Sequence, residues 1–108
     1  MMEINQYDII LVNMDSSQGS EIKKTRPCLV ISPNEINFNL STITIAPMTT
    51  KSRAWPTRLK VRFNNKTGWA AIDQIRTIDK KRVIKILGKI SSGEIHECKR
   101  IIKVTFVD

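Results

Sequence analysis

One histidine, two cysteines, four glycines and 6% aromatic residues are all that this 108-residue chain contains of those types. Each scarcity excludes a kind of chemistry or architecture. A lone histidine leaves no pair of imidazoles to divide acid and base work, and His96 sits on the polar side of a helical pattern, where it reads as a solvated surface residue. Isolated cysteines and acids without ligand spacing provide no metal site, and no cofactor motif is present. Cys28 opens the apolar run Cys28-Leu29-Val30-Ile31 and Cys98 lies on an apolar helix face, so both read as small buried hydrophobes rather than a disulfide. No stretch approaches the ~18 apolar residues of a membrane span. The opening Met1-Met2-Glu3-Ile4-Asn5 has neither a basic leader nor an apolar core, so the expectation is a cytoplasmic protein without a membrane partner.

Acidic residues are scarce in one half only. Residues 1–50 hold three Lys and Arg against five acids, a net charge of −2, whereas residues 51–108 hold fifteen against five, a net charge of +10. The whole chain carries +8. A field concentrated in this way attracts polyanions and acidic proteins without dictating a fold. With 41% hydrophobic and 26% charged residues in 12.4 kDa, the chain is globular material for one domain spanning 1–108.

What is present is β-rich. Ile9-Ile10-Leu11-Val12 and Cys28-Leu29-Val30-Ile31 are short, continuous and rich in branched residues, the pattern of strands covered on both faces. A polar, Gly-containing loop from Asn13 to Thr25 joins them. Thr42 to Ala46 alternates, and so does Thr57 to Phe63, which puts Leu59, Val61 and Phe63 on one face and Arg58, Lys60 and Arg62 on the other. Asn64 to Gly68 reads as a hairpin loop into the strand Trp69-Ala70-Ala71-Ile72, and Ile84 to Ile90 forms another strand. Single helical turns are expected at Pro33–Asn37 and Asp79–Arg82. The main helix comes last: Ser91 and Glu94 fit a capping box, and Ile95, Cys98, Ile101 or Ile102, and Val104 to Phe106 recur at helical spacing as its apolar face. The expected fold class is mainly β with a C-terminal helix across a strongly curved antiparallel sheet.

Three of these strands end in polar chemistry. Gly19-Ser20-Glu21 precedes Arg26-Pro27 at the mouth of one strand, Pro47-Met48-Thr49-Thr50-Lys51 closes a second, and Asp73-Gln74-Ile75-Arg76-Thr77 follows a third. Pro27 lacks a backbone donor and pushes Arg26 toward extended geometry, which fixes the guanidinium at a strand entrance. In their order and separations these segments resemble the MazF/PemK/Kid family of toxin endoribonucleases, over a likeness running from Tyr7 to Ile90. The resemblance implies an SH3-like, CcdB/PemK-type barrel assembled as a homodimer. It further implies metal-independent cleavage of single-stranded RNA, leaving a 2′,3′-cyclic phosphate and a 5′-hydroxyl, and control by an acidic antitoxin protein.

Such cleavage needs a base for the 2′-hydroxyl proton, positive charge around the crowded phosphorus, and an acid for the leaving oxygen. Arg26 offers a planar, permanently charged fork that suits two phosphate oxygens, and its bland alternative is a salt bridge with Glu21. The resemblance carries the catalytic pair onto Arg26 and Thr49, with the Thr49 hydroxyl donating to a non-bridging oxygen. Glu21 and Asp73 are the carboxylate candidates for the base. One branch of the family pairs the aspartate matching Asp73 with an arginine two residues earlier, where this chain has Ala71. Gln74 suits a base edge, Arg76, Lys51 and Thr50 suit phosphates, and Trp55 either stacks on a base or anchors its loop. Arg76 has Asp79 as an alternative partner, and Arg58, Lys60 and Arg62 form either a solvated strand face or, with Trp55 and Trp69, a surface for an acidic peptide that could overlap the approach to Arg26 and Thr49. The rival functions are a non-enzymatic toxin of the same fold acting on a protein such as gyrase, and an inactive RNA-binding module.

Overall fold

The computed structural model describes residues 2–14 and 24–108. Seven strands are present in it: β1 (Asp8–Asn13), β2 (Thr25–Val30), β3 (Thr42–Thr49), β4 (Arg58–Phe63), β5 (Lys66–Ala71), β6 (Arg76–Asp79) and β7 (Val83–Lys89). A short helix, α1 (Asn34–Asn39), follows β2, and the main helix, α2 (Ser92–Ile102), follows β7. Every pairing is antiparallel, in the order β4-β5-β3-β2-β1-β7, with β6 also on β3. The sheet curls until the ends of that order meet. The Phe63 ring of β4 lies against Gly88 of β7, where an added Cβ would stand 2.8 Å from the ring.

Two cores explain why the central strands are apolar without alternation. Ile9, Leu29 and Ala46 face one core with Met48, Leu59, Val61 and Ala70, closed by Cys98 and Ile101 of α2. Their neighbours Ile10, Val12, Cys28, Val30, Ile43 and Ile45 face a second core with Ile4, Ile78 and Val83. Side chains alternate across a strand, so β1, β2 and β3 each supply both layers. Both cysteines are free and buried, as their apolar surroundings lead one to expect.

The strands read from the sequence are present, with three differences. Asn64 and Asn65 have φ of 50° and 60°, so they form a two-residue hairpin turn of the type that needs left-handed backbone at both central positions, and β5 begins at Lys66 rather than Trp69. Arg76–Asp79 is a strand that apolar patterning does not reveal, because Ile78 alone among its residues is buried. The helix ends its regular part at Ile102, and Lys103–Val107 winds as a wider π turn, closed by the Asp108 N–H on the Lys103 carbonyl at 2.7 Å. That change of pitch carries Val104 and Phe106 off the core, and they are 51% and 52% exposed where helical spacing expects them inside.

The capping box at Ser91 forms as its spacing predicts and does a second job. Glu94 Oε1 accepts from the Ser91 N–H at 2.8 Å, and Oε2 accepts from the Arg62 N–H at 2.8 Å. One carboxylate thus caps α2 and ties it to a backbone donor of the edge strand β4, which would otherwise be open to water or another chain. Glu94→Ala should therefore destabilise the protein by about 1–2 kcal/mol in urea unfolding, and Ser91→Ala by about 1 kcal/mol or less. Equal losses would show that the bond to β4 contributes nothing beyond the cap.

Candidate active site

The second core ends in a polar rim. Cys28 pairs with Pro47, Leu29 with Ala46 and Val30 with Ile45, and continuing that register by two residues places Arg26 opposite Thr49. Arg26 shares its strand face with Cys28 and Val30, and Thr49 shares its face with Ile43 and Ile45, so both point to the side of the sheet that carries the second core. Arg76, paired with Ile45 and two residues before the buried Ile78, joins that face from β6. Beyond the last apolar layer the face opens to solvent, and Arg26 and Arg76 are both exposed.

The Cys28 thiol is buried beneath these two charges. Burial pushes it up to about 12, while the Arg26 and Arg76 charges pull the other way. Neither guanidinium forms an ion pair among the described residues, and Arg76 does not pair with Asp79, whose Oδ1 accepts from the Lys81 N–H at 2.8 Å. Arg26 also lines a shallow recess with Lys24, Thr25 and Met14. Cations without an ion-pair partner among the described residues, gathered on one face, suit a phosphodiester.

Thr49 is held for donation. Its Oγ1 accepts from the Lys51 N–H at 3.1 Å, which fixes the rotamer, while its own proton points at the Lys51 carbonyl over 3.4 Å. That second contact is long, so an anionic oxygen would compete well for the proton. The same turn leaves Thr50 and Lys51 exposed beside it. Pro47, buried in mid-strand, sits where β3 exchanges β6 for β5 as its neighbour. A residue without an N–H suits that junction.

The third cluster is divided. Ile72–Gln74 forms a 3₁₀ turn that leaves Asp73 and Gln74 exposed. Asp73 Oδ1 accepts from Arg58 Nε at 3.0 Å, and Arg58 Nη1 also donates to Ser52 Oγ at 3.4 Å. Burial acts to raise the Asp73 pKa, but hydrogen bonds from Thr57, its own N–H and Arg58, together with the Arg58 charge, hold it below its ordinary value. This is a carboxylate that organises the 52–58 segment through Arg58. Arg58 is accordingly withdrawn from the basic strand face, leaving Lys60 and Arg62 exposed there. Trp55 is 57% exposed and packs in neither core, so burial of its ring does not anchor the loop. Glu21, with Gly19 and Ser20, lies outside the described residues. Among the described residues no three His, Cys, Asp or Glu side chains gather. The sequence offered Trp69 only as part of an acidic-peptide surface, and strand pairing places it directly across from Thr49.

Fold and site define a class: a small curled antiparallel sheet closed by one helix, with an arginine and an oriented hydroxyl on an open cationic strand face. The chain belongs to the PemK-like, MazF-like toxins of type II toxin–antitoxin systems, whose family model matches residues 5–106. It is 32% identical over 71 residues to the endoribonuclease toxin MazF of Escherichia coli K12, a match covering 66% of this chain and 64% of that protein. It is 26% identical to endoribonuclease MazF9 of Mycobacterium tuberculosis, over 90% of this chain and 91% of the relative. The fold superposes on MazF from a Deinococcus radiodurans MazE–MazF crystal structure with a TM-score of 0.82 at 19% identity, covering 96% of each chain. Toxin MazF-mt6 of Mycobacterium tuberculosis gives 0.77 at 22% identity, over 92% of this chain and 95% of that one. No helix among the described residues is long and apolar enough to cross a membrane.

The depressed Asp73 pKa has a measurable sign. A carboxyl held below its unfolded value, ~3.9, stabilises the fold fully above that value and loses its contribution as pH falls through the lower folded pKa. Unfolding free energies of the wild type and Asp73→Ala should therefore differ at neutral pH and converge in acid. A gap that persists in acid would assign the loss to packing instead.

Proposed function

We propose that the protein is an endoribonuclease that cuts single-stranded RNA without a metal ion, as the toxin of a toxin–antitoxin pair. The observation that carries this reading is the β2–β3 register, which, extended two residues past Cys28 and Pro47, sets Arg26 across from Thr49 at an open, cationic face. In the reaction the 2′-oxygen bonds to the adjacent phosphorus as its proton leaves to a base, and the bond to the 5′-oxygen breaks as that oxygen takes up a proton. The products are a 2′,3′-cyclic phosphate and a 5′-hydroxyl. Arg26 would span two phosphate oxygens and stabilise the growing charge, while Thr49 donates to a non-bridging oxygen. A guanidinium already carries its full complement of protons, so Arg26 acts as stabiliser, and as the acid for the 5′-oxygen, rather than as the base. Glu21 and Asp73 are the carboxylates for the proton, and Asp73 is already engaged by Arg58.

The supporting comparisons have the same sense: both named relatives are endoribonucleases, and solved neighbours include a MazE–MazF complex and a mycobacterial endoribonuclease with its cognate antitoxin. The resemblance also implies a homodimer and an acidic, disordered antitoxin segment that folds as it binds. Lys60 and Arg62, rather than the paired Arg58, supply the exposed charge for that segment. An antitoxin lying there would mask the site and neutralise the field that draws RNA.

Purified protein should cleave RNA in excess chelator, spare an all-deoxy strand of the same sequence, and leave cyclic-phosphate ends. Arg26→Lys should lose about 10²-fold or more in rate, nearly as much as Arg26→Ala, because a point charge cannot span two oxygens. A strict magnesium requirement, or an Arg26→Lys protein of nearly full activity, would contradict this chemistry.

A further inference from the structure

The β2–β3 register, extended to Arg26 and Thr49, continues into the pairs on the far side of β3. Thr49 pairs with Trp69 of β5, and Trp69 pairs with Lys60 of β4. Their neighbours Met48, Ala70, Leu59 and Val61 all lie in the first core, so Thr49, Trp69 and Lys60 share the opposite, open face. Arg26, Thr49, Trp69 and Lys60 thus form one row across β2, β3, β5 and β4. Strands lie ~4.8 Å apart, so the row runs ~14 Å with a side chain at each step. No member of the row is acidic.

Trp69 is the unusual member. It is only half-buried and packs in neither core, although an indole gains most from leaving water. Its place is one strand spacing from the hydroxyl of Thr49, with the exposed Lys60 on its far side. A cation, a hydroxyl, an aromatic plane and a second cation in that order match the alternation of phosphate and base along a single strand. Aromatic planes accept any base, and flanking cations take its phosphates.

We propose that Trp69 and Lys60 form the subsite for the nucleotide adjoining the cleaved bond, its base stacked on the Trp69 indole and its phosphate on Lys60. The assignment rests on the RNA-cleavage reading and extends it to how the strand is held. Trp69 and Lys60 are positioning residues: they hold the nucleotide next to the reacting atoms without taking part in bond making. Their loss should therefore appear in KM more than in kcat.

In a Trp55→Phe background Trp69 is the sole tryptophan, and its emission should be quenched when a random-sequence, single-stranded 2′-deoxy oligonucleotide pool binds without being cut. Adding Trp69→Ala should weaken that binding about 10-fold and raise the KM for RNA with kcat nearly unchanged, while Trp69→Phe restores most of both. Lys60→Ala should lower the slope of log affinity against log salt by about one. A Trp69→Ala protein with the wild-type unfolding midpoint and unchanged oligonucleotide affinity overturns the subsite, and if it has lost antitoxin binding, Trp69 belongs to the protein partner. Wild-type cleavage with unquenched Trp69 emission overturns the subsite alone. Absence of both binding and cleavage in the wild type overturns the underlying reading with it.

Discussion

The pairing of β2 with β3 is the constraint on which the rest depends. Leu29 and Ala46 must face one core while Cys28, Val30 and Ile45 face the other. A slip of one residue would exchange the two sets and turn Arg26 and Thr49 to the wrong side. With apolar residues in both layers, either displaced layer would open cavities or crowd its neighbours, at several kcal/mol for each large side chain. Burial therefore sets the register, and the register sets the site. The placement of Arg26 and Thr49 on one face is here a by-product of having two cores rather than one.

The same logic separates the basic residues by role. Arg26 and Arg76 stand where the second core gives way to solvent, without ion-pair partners among the described residues, and so retain their charge for a ligand. Arg58 spends its charge on Asp73, and in doing so fixes the segment between Lys51 and β4. That segment is the one that orients Thr49, through the Lys51 N–H. The Ala71 substitution noted in the sequence has a structural counterpart: Ala71 is buried and pairs with Arg58, so the arginine beside Asp73 comes from the neighbouring strand.

Much of this was legible in the sequence, and the exceptions have physical causes. Alternation at Leu59–Phe63 reports one buried face and was readable; the continuous runs at Ile9 and Cys28 report two, and Thr42–Ala46 alternates only until Ala46 enters the first core. β6 was not readable, because Arg76-Thr77-Ile78-Asp79 buries one residue and is held by backbone pairing to β3. The Asn64-Asn65 turn was placed correctly but read as too long, since its signal is a pair of left-handed φ values and not composition. Val104 and Phe106 obey helical spacing yet leave the core, because a switch to π winding after Ile102 is invisible to apolar periodicity. Arg26, Thr49 and Asp73 announced themselves through neighbouring residues in the chain. The Arg58–Asp73 pair and the nearness of Trp69 to Thr49 are long-range contacts, and no local pattern encodes them.

The central claim is that β2 and β3 hold Arg26 and Thr49 as one unit around a single phosphate. A double-mutant cycle on RNA cleavage tests it directly, comparing Arg26→Ala, Thr49→Ala and the double variant in single-turnover rate. The account predicts strong non-additivity, with the double variant hardly slower than Arg26→Ala alone, as for groups that act together on one charge. Rate losses that simply multiply would contradict it, and would show that the two residues meet the substrate at separate places.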